Sequence, residues 1–365
     1  MLQINNLLAR TTRYQTQIQT AVDRVIKSGW FVLGPEVKRF EQSFATFLGA
    51  NHCISVANGT DAIELALKAL GVQKGDKVAT VANAGMYTTT AVLAIDATPY
   101  FMDVDLETQV VTLEEVTKAI DSDVKAVVVT HLYGLAIPQI SEIANICTKR
   151  NISLLEDCAQ AHLAKIKGKY VGTFGNAGTF SFYPTKNLGA LGDGGAIISN
   201  DPAITKKVEL LRQYGWTAKY QVEIPNAKNS RLDEMQAAVL SEFLPFLEQD
   251  NDRRRQIATH YSSLINHPNV ITPPVKEKDY VAHLYVIKSP QRNQLREHLR
   301  QLNIASDIHY PIPDYQQPVF GKQFAYVHLQ VTEQLANEIL TLPCYPEMSD
   351  QQVEQVISAV NSWCV

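Results

Sequence analysis

The chain has 365 residues, of which 45% are hydrophobic and 19% are charged, proportions that are typical of an ordinary soluble enzyme. A total of 33 Lys and Arg residues against 37 Asp and Glu gives a net charge of −4, which excludes the basic surface expected of a nucleic-acid or membrane-surface protein. The length suits one large α/β domain followed by a smaller one.

Cysteine spacing and hydropathy indicate a cytoplasmic protein. The cysteines are odd in number and scattered, with no C-x-x-C pair and no histidine spacing for zinc, so we expect reduced thiols and no metal site. They are Cys53, Cys147, Cys158, Cys344 and Cys364. Residues 1–25 lack the apolar core of a signal peptide, and no run reaches 18 consecutive apolar residues, so neither export nor membrane insertion is expected.

The first elements predicted along the chain are two helices and a strand–helix unit. Helical periodicity covers residues 12–28, and Gly34-Pro35 starts a second helix. A short apolar strand at residues 54–57 then runs through Gly59 and Thr60 into a helix. The free N–H groups of that helix start could bind a phosphate, although a simple helix cap explains the same residues equally well.

Four further strand-like runs alternate with helical segments. The runs are Lys77–Val81, Pro99–Val104, Val124–Thr130 and Ile152–Leu155. Because the last three are continuously apolar, they are typical of strands buried on both faces of a mostly parallel, doubly wound sheet. Such sheets bind ligands at the carboxyl ends of their strands.

Polar residues follow these strands at the expected ligand-binding edge. They occur in residues 83–90, in His131–Gly134, and at Glu156 and Asp157. A carboxylate directly after a buried run needs a positive partner, because desolvation of its charge is costly. Asp157 therefore either caps a following helix or keeps the ring nitrogen of a pyridine cofactor protonated.

The stretch from Ala177 to Asn200 carries the candidate nucleophile. A strand-like segment breaks at Pro184 and is followed by Lys186, a glycine-rich loop and another apolar strand. Lysine in a packed, glycine-flanked pocket can form a Schiff base with an aldehyde cofactor, usually pyridoxal phosphate. The alternative is an ordinary exposed loop lysine.

The remaining pattern predicts the linking helix and the smaller domain. A helix is expected at residues 201–214, and a long helical pattern interrupted at Pro245 runs from about 229 to 264. Residues from about 275 onward are typical of a compact α+β unit. We therefore predict a large cofactor-binding α/β domain over residues 1–240 and a small α+β domain over residues 241–365.

Together these motifs resemble the DegT/StrS-type sugar-nucleotide aminotransferases, a group of fold type I pyridoxal phosphate enzymes. The resemblance extends nearly from end to end through FVLGPEVKRFE, NGTDAIELAL, VVVTHLYG, LLEDCAQAH, SFYPTKNLGALGDGGA, NSRLDEMQAA and IHYPIPDYQQP. It implies a mostly parallel, seven-stranded type of sheet between helices, a smaller C-terminal domain and a homodimer with shared active sites.

The resemblance also implies roles for individual residues. Lys186 would form the Schiff base, Asp157 would pair with the pyridine nitrogen, and Gln160 would contact the ring hydroxyl. The remaining cofactor contacts would be Gly59, Thr60 and Ser181 to the phosphate, Tyr87 on the ring face, and Asn229 to the cofactor of the neighbouring subunit. His309, Tyr310 and Tyr315 would lie near the sugar-nucleotide, although the family often has histidine where this chain has Tyr315.

The implied reaction is a two-step transamination from L-glutamate to a nucleotide-linked keto-sugar. The NSRLDE and HYP-P-Q patterns resemble members that act on dTDP-linked 3-keto-6-deoxyhexoses. Enzymes acting on 4-keto sugars or on cyclitol-type and aminobenzoate-type substrates remain alternatives, because their cofactor sites would look identical. A sugar dehydratase is disfavoured because that branch replaces the lysine with histidine, and a non-catalytic regulatory relative is disfavoured because both Lys186 and Asp157 are present.

Overall fold

The computed structural model describes residues 1–274 and 277–364, and three helices open the chain. They are α1 (Leu7–Arg13), α2 (Gln15–Ser28) and α3 (Pro35–Leu48). The helix predicted over residues 12–28 corresponds to α2, whereas α1 was not predicted; the two helices are separated at the buried Tyr14, whose hydroxyl donates to Asp250 at 3.2 Å. Helix α2 ends at Gly29, whose φ of 64° is readily adopted only without a side chain.

A seven-stranded sheet forms the centre of the molecule. Its strands are β1 (His52–Val56), β2 (Lys77–Val81), β3 (Thr98–Met102), β4 (Ala126–Thr130), β5 (Ser153–Asp157), β6 (Ala177–Ser181) and β7 (Gly195–Ser199). Their spatial order is β1-β7-β6-β5-β4-β2-β3, and only β7 runs antiparallel to its neighbours. The predicted mostly parallel sheet is confirmed.

Helices cover this sheet, and one of them was not predicted. They are α4 (Gly59–Ala69), α5 (Tyr87–Ala94), α6 (Leu113–Asp121), α7 (Ile140–Arg150) and α8 (Pro202–Leu211). No helix was predicted at α5, which begins within the polar residues 83–90 and contains three consecutive threonines, a residue that disfavours a helix in isolation. Strand β5 extends two residues beyond its prediction, so Asp157 is its last residue and no helix follows for it to cap.

The C-terminal part is a smaller α+β unit. It follows α9 (Glu234–Phe243), which packs against α2 and α3, and its elements are α10 (Leu247–Leu264), β8 (Tyr285–Lys288), α11 (Arg292–Gln301), α12 (Gln330–Glu338), β9 (Ile339–Leu342) and α13 (Asp350–Asn361). Strands β8 and β9 pair antiparallel. The predicted interruption at Pro245 is a single 3₁₀ turn, Leu244–Phe246, between α9 and α10, and the predicted domain boundary at residue 240 falls inside α9.

An aromatic cluster fixes β6 and the loop that follows it against α3. Phe44 meets Phe180 edge-to-face with ring centroids 5.0 Å apart, and Phe40 meets Phe182 in the same way at 5.2 Å. All four rings are fully buried. Edge-to-face packing of this kind adds about 0.5–1.5 kcal/mol per pair to the burial of the rings, so the strand leading to Lys186 is rigidly held.

Two short hairpins complete the description. They are Lys165–Ile166 with Lys169–Tyr170, and Trp216–Ala218 with Gln221–Val222. Among the described residues, none of the helices combines the length and the apolarity needed to cross a bilayer.

Candidate active site

A cavity of about 810 Å³ opens at the carboxyl ends of β4, β5 and β6, where the sequence predicted ligand binding. Side chains from the C-terminal unit close its other side. The structure brings nine of the predicted site residues together in its wall: Gly59, Thr60, Tyr87, Asp157, Gln160, Ser181, Lys186, His309 and Tyr310.

The start of α4 forms an anion-binding corner of this cavity. Asn58 caps the helix by accepting a hydrogen bond from the Asp61 N–H at 2.8 Å, which leaves the first-turn N–H groups of Gly59 and Thr60 without helical partners. Gly59 is required here, since a Cβ atom at this position would lie 2.7 Å from the Cβ of Ser181. These free N–H donors and the positive end of the helix dipole together favour the binding of a phosphate group.

Asp157 is a buried carboxylate facing the cavity from the end of β5. Its Oδ1 accepts a hydrogen bond from the Ala159 N–H at 3.0 Å, and its Oδ2 accepts one from the Thr130 hydroxyl at 3.4 Å. Burial raises its pKa, while the Ala159 N–H and the charge of Lys186 act in the opposite direction. Such a group gains from a cationic N–H partner, which would restore the ionised form.

Lys186 faces the same cavity from the loop after β6. Burial lowers the pKa of its amine to about 8, and the charge of Asp157 only partly offsets this effect. Throughout the described ranges, no ion pair of 4.0 Å or less involves Lys186. An amine with a lowered pKa supplies more of its neutral, nucleophilic form at physiological pH than an exposed lysine does.

Gln160 links the floor of the cavity to the C-terminal unit. Its Oε1 accepts a hydrogen bond from the Tyr133 N–H at 2.6 Å, and its Nε2 donates to the Tyr310 hydroxyl at 3.1 Å. The Tyr133 hydroxyl in turn donates to the carbonyl oxygen of His309. The amide of Gln160 is therefore held in one orientation, with one N–H hydrogen left for a ligand.

Tyr87, the first residue of α5, projects into the cavity with 51% of its surface exposed and its ring edge-on to that of Tyr310. The preceding turn passes through Met86 with a φ of 71°. Asp314 holds this turn, because its carboxylate accepts hydrogen bonds from the Met86 N–H at 2.9 Å and from the Thr89 hydroxyl at 2.6 Å. Sequence reasoning missed Asp314, which lies more than 220 positions from these partners.

Two predicted site residues lie outside the cavity. Asn229 is exposed and pairs through its backbone with Gln213. Tyr315 is buried against Phe101, and its hydroxyl donates to Glu333 at 2.6 Å. Within one subunit, therefore, neither side chain lies with the nine predicted site residues that line the cavity.

His131, Glu156 and Cys158 lie beside the site with their potential ligand atoms within 4.8 Å of one another. The Glu156 carboxylate already accepts four hydrogen bonds, one from His131 Nε2 and three from backbone N–H groups of the segment 172–175. His131 Nδ1 accepts from the Ile137 N–H, so Nε2 carries the proton in the neutral ring. This fully satisfied cluster ties β4 to β5 and leaves the carboxylate no free position for a metal.

Arg10 of α1 is a further residue that sequence reasoning missed. Its guanidinium donates to the carbonyl oxygens of Pro184 at 2.9 Å, Lys186 at 3.5 Å and Gly189, and it lies over the ring of Phe243 at 4.7 Å. Burial lowers its pKa to about 10, so it stays cationic at neutral pH. Arg10 therefore fixes the backbone on both sides of Lys186.

Replacing Arg10 by Met is expected to lower the free energy of unfolding by about 2–3 kcal/mol, because the carbonyl groups that it satisfies lose a charged donor. Urea denaturation gives this value. The matched control is Arg13→Met, since Arg13 makes a more exposed ion pair with Asp250 at 2.8 Å. This ion pair is expected to contribute less than about 1 kcal/mol to the free energy of unfolding. Equal losses in the two variants would contradict the role assigned to Arg10.

Comparison with known proteins identifies close relatives over almost the whole chain. The family model described as the DegT/DnrJ/EryC1/StrS aminotransferase family matches residues 12–361. A protein of Aneurinibacillus thermoaerophilus named dTDP-3-amino-3,6-dideoxy-alpha-D-galactopyranose transaminase is 42% identical over 352 residues, which are 96% of either chain. A pleiotropic regulatory protein of Geobacillus stearothermophilus is 39% identical over 94% of this chain and 93% of its own.

The fold is also that of a solved structure. The crystal structure of S. venezuelae DesV in complex with a ketimine intermediate has a TM-score of 0.94 and 34% sequence identity. The similarity covers 99% of this chain and 98% of that chain.

Proposed function

The chain belongs to the DegT/DnrJ/EryC1/StrS aminotransferase family, and from this premise we propose that it transfers the amino group of L-glutamate to a nucleotide-linked keto-sugar. The cofactor is pyridoxal 5′-phosphate, and the preferred sugar is a dTDP-linked 3-keto-6-deoxyhexose. One observation carries the proposal: the amine of Lys186, with its pKa lowered to about 8, faces the same cavity as the buried carboxylate of Asp157.

The residues of the cavity fit this cofactor. The N–H groups at Gly59 and Thr60, together with Ser181, would hold its phosphate, because they form an anion-binding corner at a helix start. Asp157 would hold the pyridine nitrogen, whose N–H would supply the cationic partner that this carboxylate lacks. Lys186 would bind the aldehyde carbon.

When bound, pyridoxal phosphate supplies an electron sink for the negative charge that develops on the Cα of the amino acid. The chain contributes proton transfer and charge placement. In its neutral form, the amine of Lys186 would accept the proton that leaves Cα of the amino acid and would hold it for the proton return that completes the transfer. The negative charge of Asp157 keeps the ring nitrogen protonated throughout.

The names of the relatives favour amination at C3 of the sugar. The Aneurinibacillus relative is named as a 3-amino-3,6-dideoxy sugar transaminase, and a Micromonospora megalomicea relative, 38% identical, is named as a 3-amino-3,4,6-trideoxy sugar transaminase. An enzyme that acts on a 4-keto sugar or a cyclitol would use the same cofactor residues. The choice between these substrates therefore depends on the sugar-binding side of the cavity.

A regulatory role is the second candidate, because one relative is named as a pleiotropic regulatory protein. A purely regulatory descendant has no need of a lysine with a lowered pKa beside a buried carboxylate. The presence of both Lys186 and Asp157 in one cavity supports the enzyme.

Assembly as a homodimer is part of the proposal. Trp30, Phe31 and Val32 are consecutive apolar residues with 57%, 49% and 38% of their surfaces exposed, as expected of a surface that another subunit covers. Asn229 is exposed and outside its own cavity, a position compatible with contact to the partner's cofactor. Sedimentation velocity of the purified protein tests this assembly.

The experiment for the proposed function follows the visible absorbance of the protein reconstituted with pyridoxal phosphate. L-Glutamate is expected to remove the visible band, and a dTDP-3-keto-6-deoxyhexose is expected to restore it. The matched 4-keto sugar is expected to restore it more slowly. A protein whose spectrum responds to no amino acid would rule out the transaminase and leave the regulatory candidate.

A further inference from the structure

His283 is a nitrogen base in the cavity wall to which the sequence analysis gave no role. It lies just before β8 and is only 7% exposed, and its ring lines the same cavity as Lys186 and the substrate-side residues His309 and Tyr310. What a histidine can do in such a position depends on which of its two nitrogens carries the proton.

Hydrogen bonds to Asn187, the residue after Lys186, determine the tautomer. The side-chain Nδ2 of Asn187 donates to the carbonyl oxygen of Val281 at 3.0 Å, and a carbonyl oxygen can only accept. The Oδ1 of Asn187 therefore faces His283 Nδ1, 3.0 Å away. Because this amide oxygen is an acceptor, His283 Nδ1 must be the protonated nitrogen.

A second amide confirms the orientation of the first. Asn187 Nδ2 also donates to Asn251 Oδ1 at 2.7 Å. The Nδ2 of Asn251 donates to the backbone carbonyl oxygen of His162 at 2.9 Å, so the oxygen of Asn251 must point to Asn187. Reversing either amide would place two donors or two acceptors against each other.

The other ring nitrogen, Nε2, consequently presents a lone pair. Among residues 1–274 and 277–364, no hydrogen-bond donor reaches it. Burial holds the pKa of His283 well below its usual value, and the nearby charges of Lys186 and Arg254 lower it further. The ring is thus a neutral acceptor at physiological pH.

We propose that Nε2 of His283 accepts a hydrogen bond from a ring hydroxyl group of the keto-sugar, an assignment that rests on the proposed function. Glutamate is a poor match for this lone pair, because its two carboxylates offer only acceptors and its amino group is the reacting nitrogen. A 3-keto-6-deoxyhexose keeps hydroxyl groups at C2 and C4, and either is a donor. His283 therefore discriminates between the two substrates that use the cavity in turn.

The test compares the two half-reactions in His283→Phe, which keeps a planar ring and loses the acceptor. We expect the half-reaction with the keto-sugar to slow by roughly 10- to 100-fold more than the half-reaction with glutamate. His283→Gln, which keeps an acceptor oxygen, is expected to recover part of this loss. The matched control is His162→Phe, since His162 is buried beside Phe180 and Phe182 and does not line the cavity.

Two further measurements separate a sugar contact from a structural role. Calorimetry would compare the aminosugar product with its 2-deoxy and 4-deoxy analogues. The wild-type protein is expected to bind one of these analogues more weakly than the product. His283→Phe is expected to bind that analogue and the product equally well. Nitrogen-15 spectra of histidine-labelled protein are expected to show one protonated and one bare ring nitrogen for His283.

Proportional slowing of both half-reactions in His283→Phe, or unchanged discrimination between product and analogues, would overturn the assignment. A doubly protonated ring at neutral pH would do the same. Failure of the proposed function is recognised separately, because the wild-type spectrum would then not respond to glutamate at all.

Discussion

Lys186→Ala is expected to lose both the visible absorbance of the bound cofactor and all measurable turnover. The variant removes the only covalent attachment point in the proposed scheme and the base that moves the Cα proton. Loss of the proton transfer alone is expected to slow the reaction by roughly 10²–10⁴-fold. Absorbance spectra and glutamate-dependent product formation measure the two effects.

The side chain of Lys186 has no ion pair to lose among the described residues, so the variant is expected to fold. A suitable control is Lys149→Ala, because Lys149 is exposed at the end of α7 and does not line the cavity. Turnover by purified Lys186→Ala at a rate near that of the control would end the proposal that this lysine is the catalytic base.

Asp157→Asn is expected to reduce the rate of the glutamate half-reaction by about 10²–10³-fold while cofactor is still bound. The amide is nearly the same size and can still meet the Thr130 hydroxyl and the Ala159 N–H. What it cannot do is hold a neighbouring ring nitrogen in the protonated form, because it carries no charge. Single-turnover mixing with glutamate measures the rate.

Asp121→Asn provides the control for this charge change, since Asp121 lies at the exposed end of α6. A rate for Asp157→Asn within about threefold of that control would mean that the carboxylate does not stabilise the developing charge. Weak cofactor binding with normal chemistry would instead make Asp157 a binding residue only.

Local patterns in the sequence predict most of the framework around the site. The continuous apolar runs of β4 and β5 identify strands covered on both faces, and this places His131 and Asp157 at the ligand-binding edge. The break at Pro184 and the following glycines likewise mark the turn that carries Lys186. These features arise from residues that are close together in the sequence, so they can be predicted from the sequence alone.

The contacts that hold the site together come from distant parts of the chain. Helix α5 was missed because threonines disfavour an isolated helix, and it is stabilised instead through Asp314, which follows it by more than 220 positions in the chain. The tautomer of His283 depends in the same way on Asn187, 96 positions earlier. No periodicity or spacing encodes a hydrogen bond between residues so far apart.

Through the guanidinium of Arg10, helix α1 forms part of the support for the cavity segment that carries Lys186. Ile4 and Asn5 border the same cavity, and Asn5 donates to the carbonyl oxygen of Thr185 at 3.3 Å. A deletion that removes α1 is therefore expected to loosen the backbone on both sides of Lys186 while leaving every strand of the sheet intact.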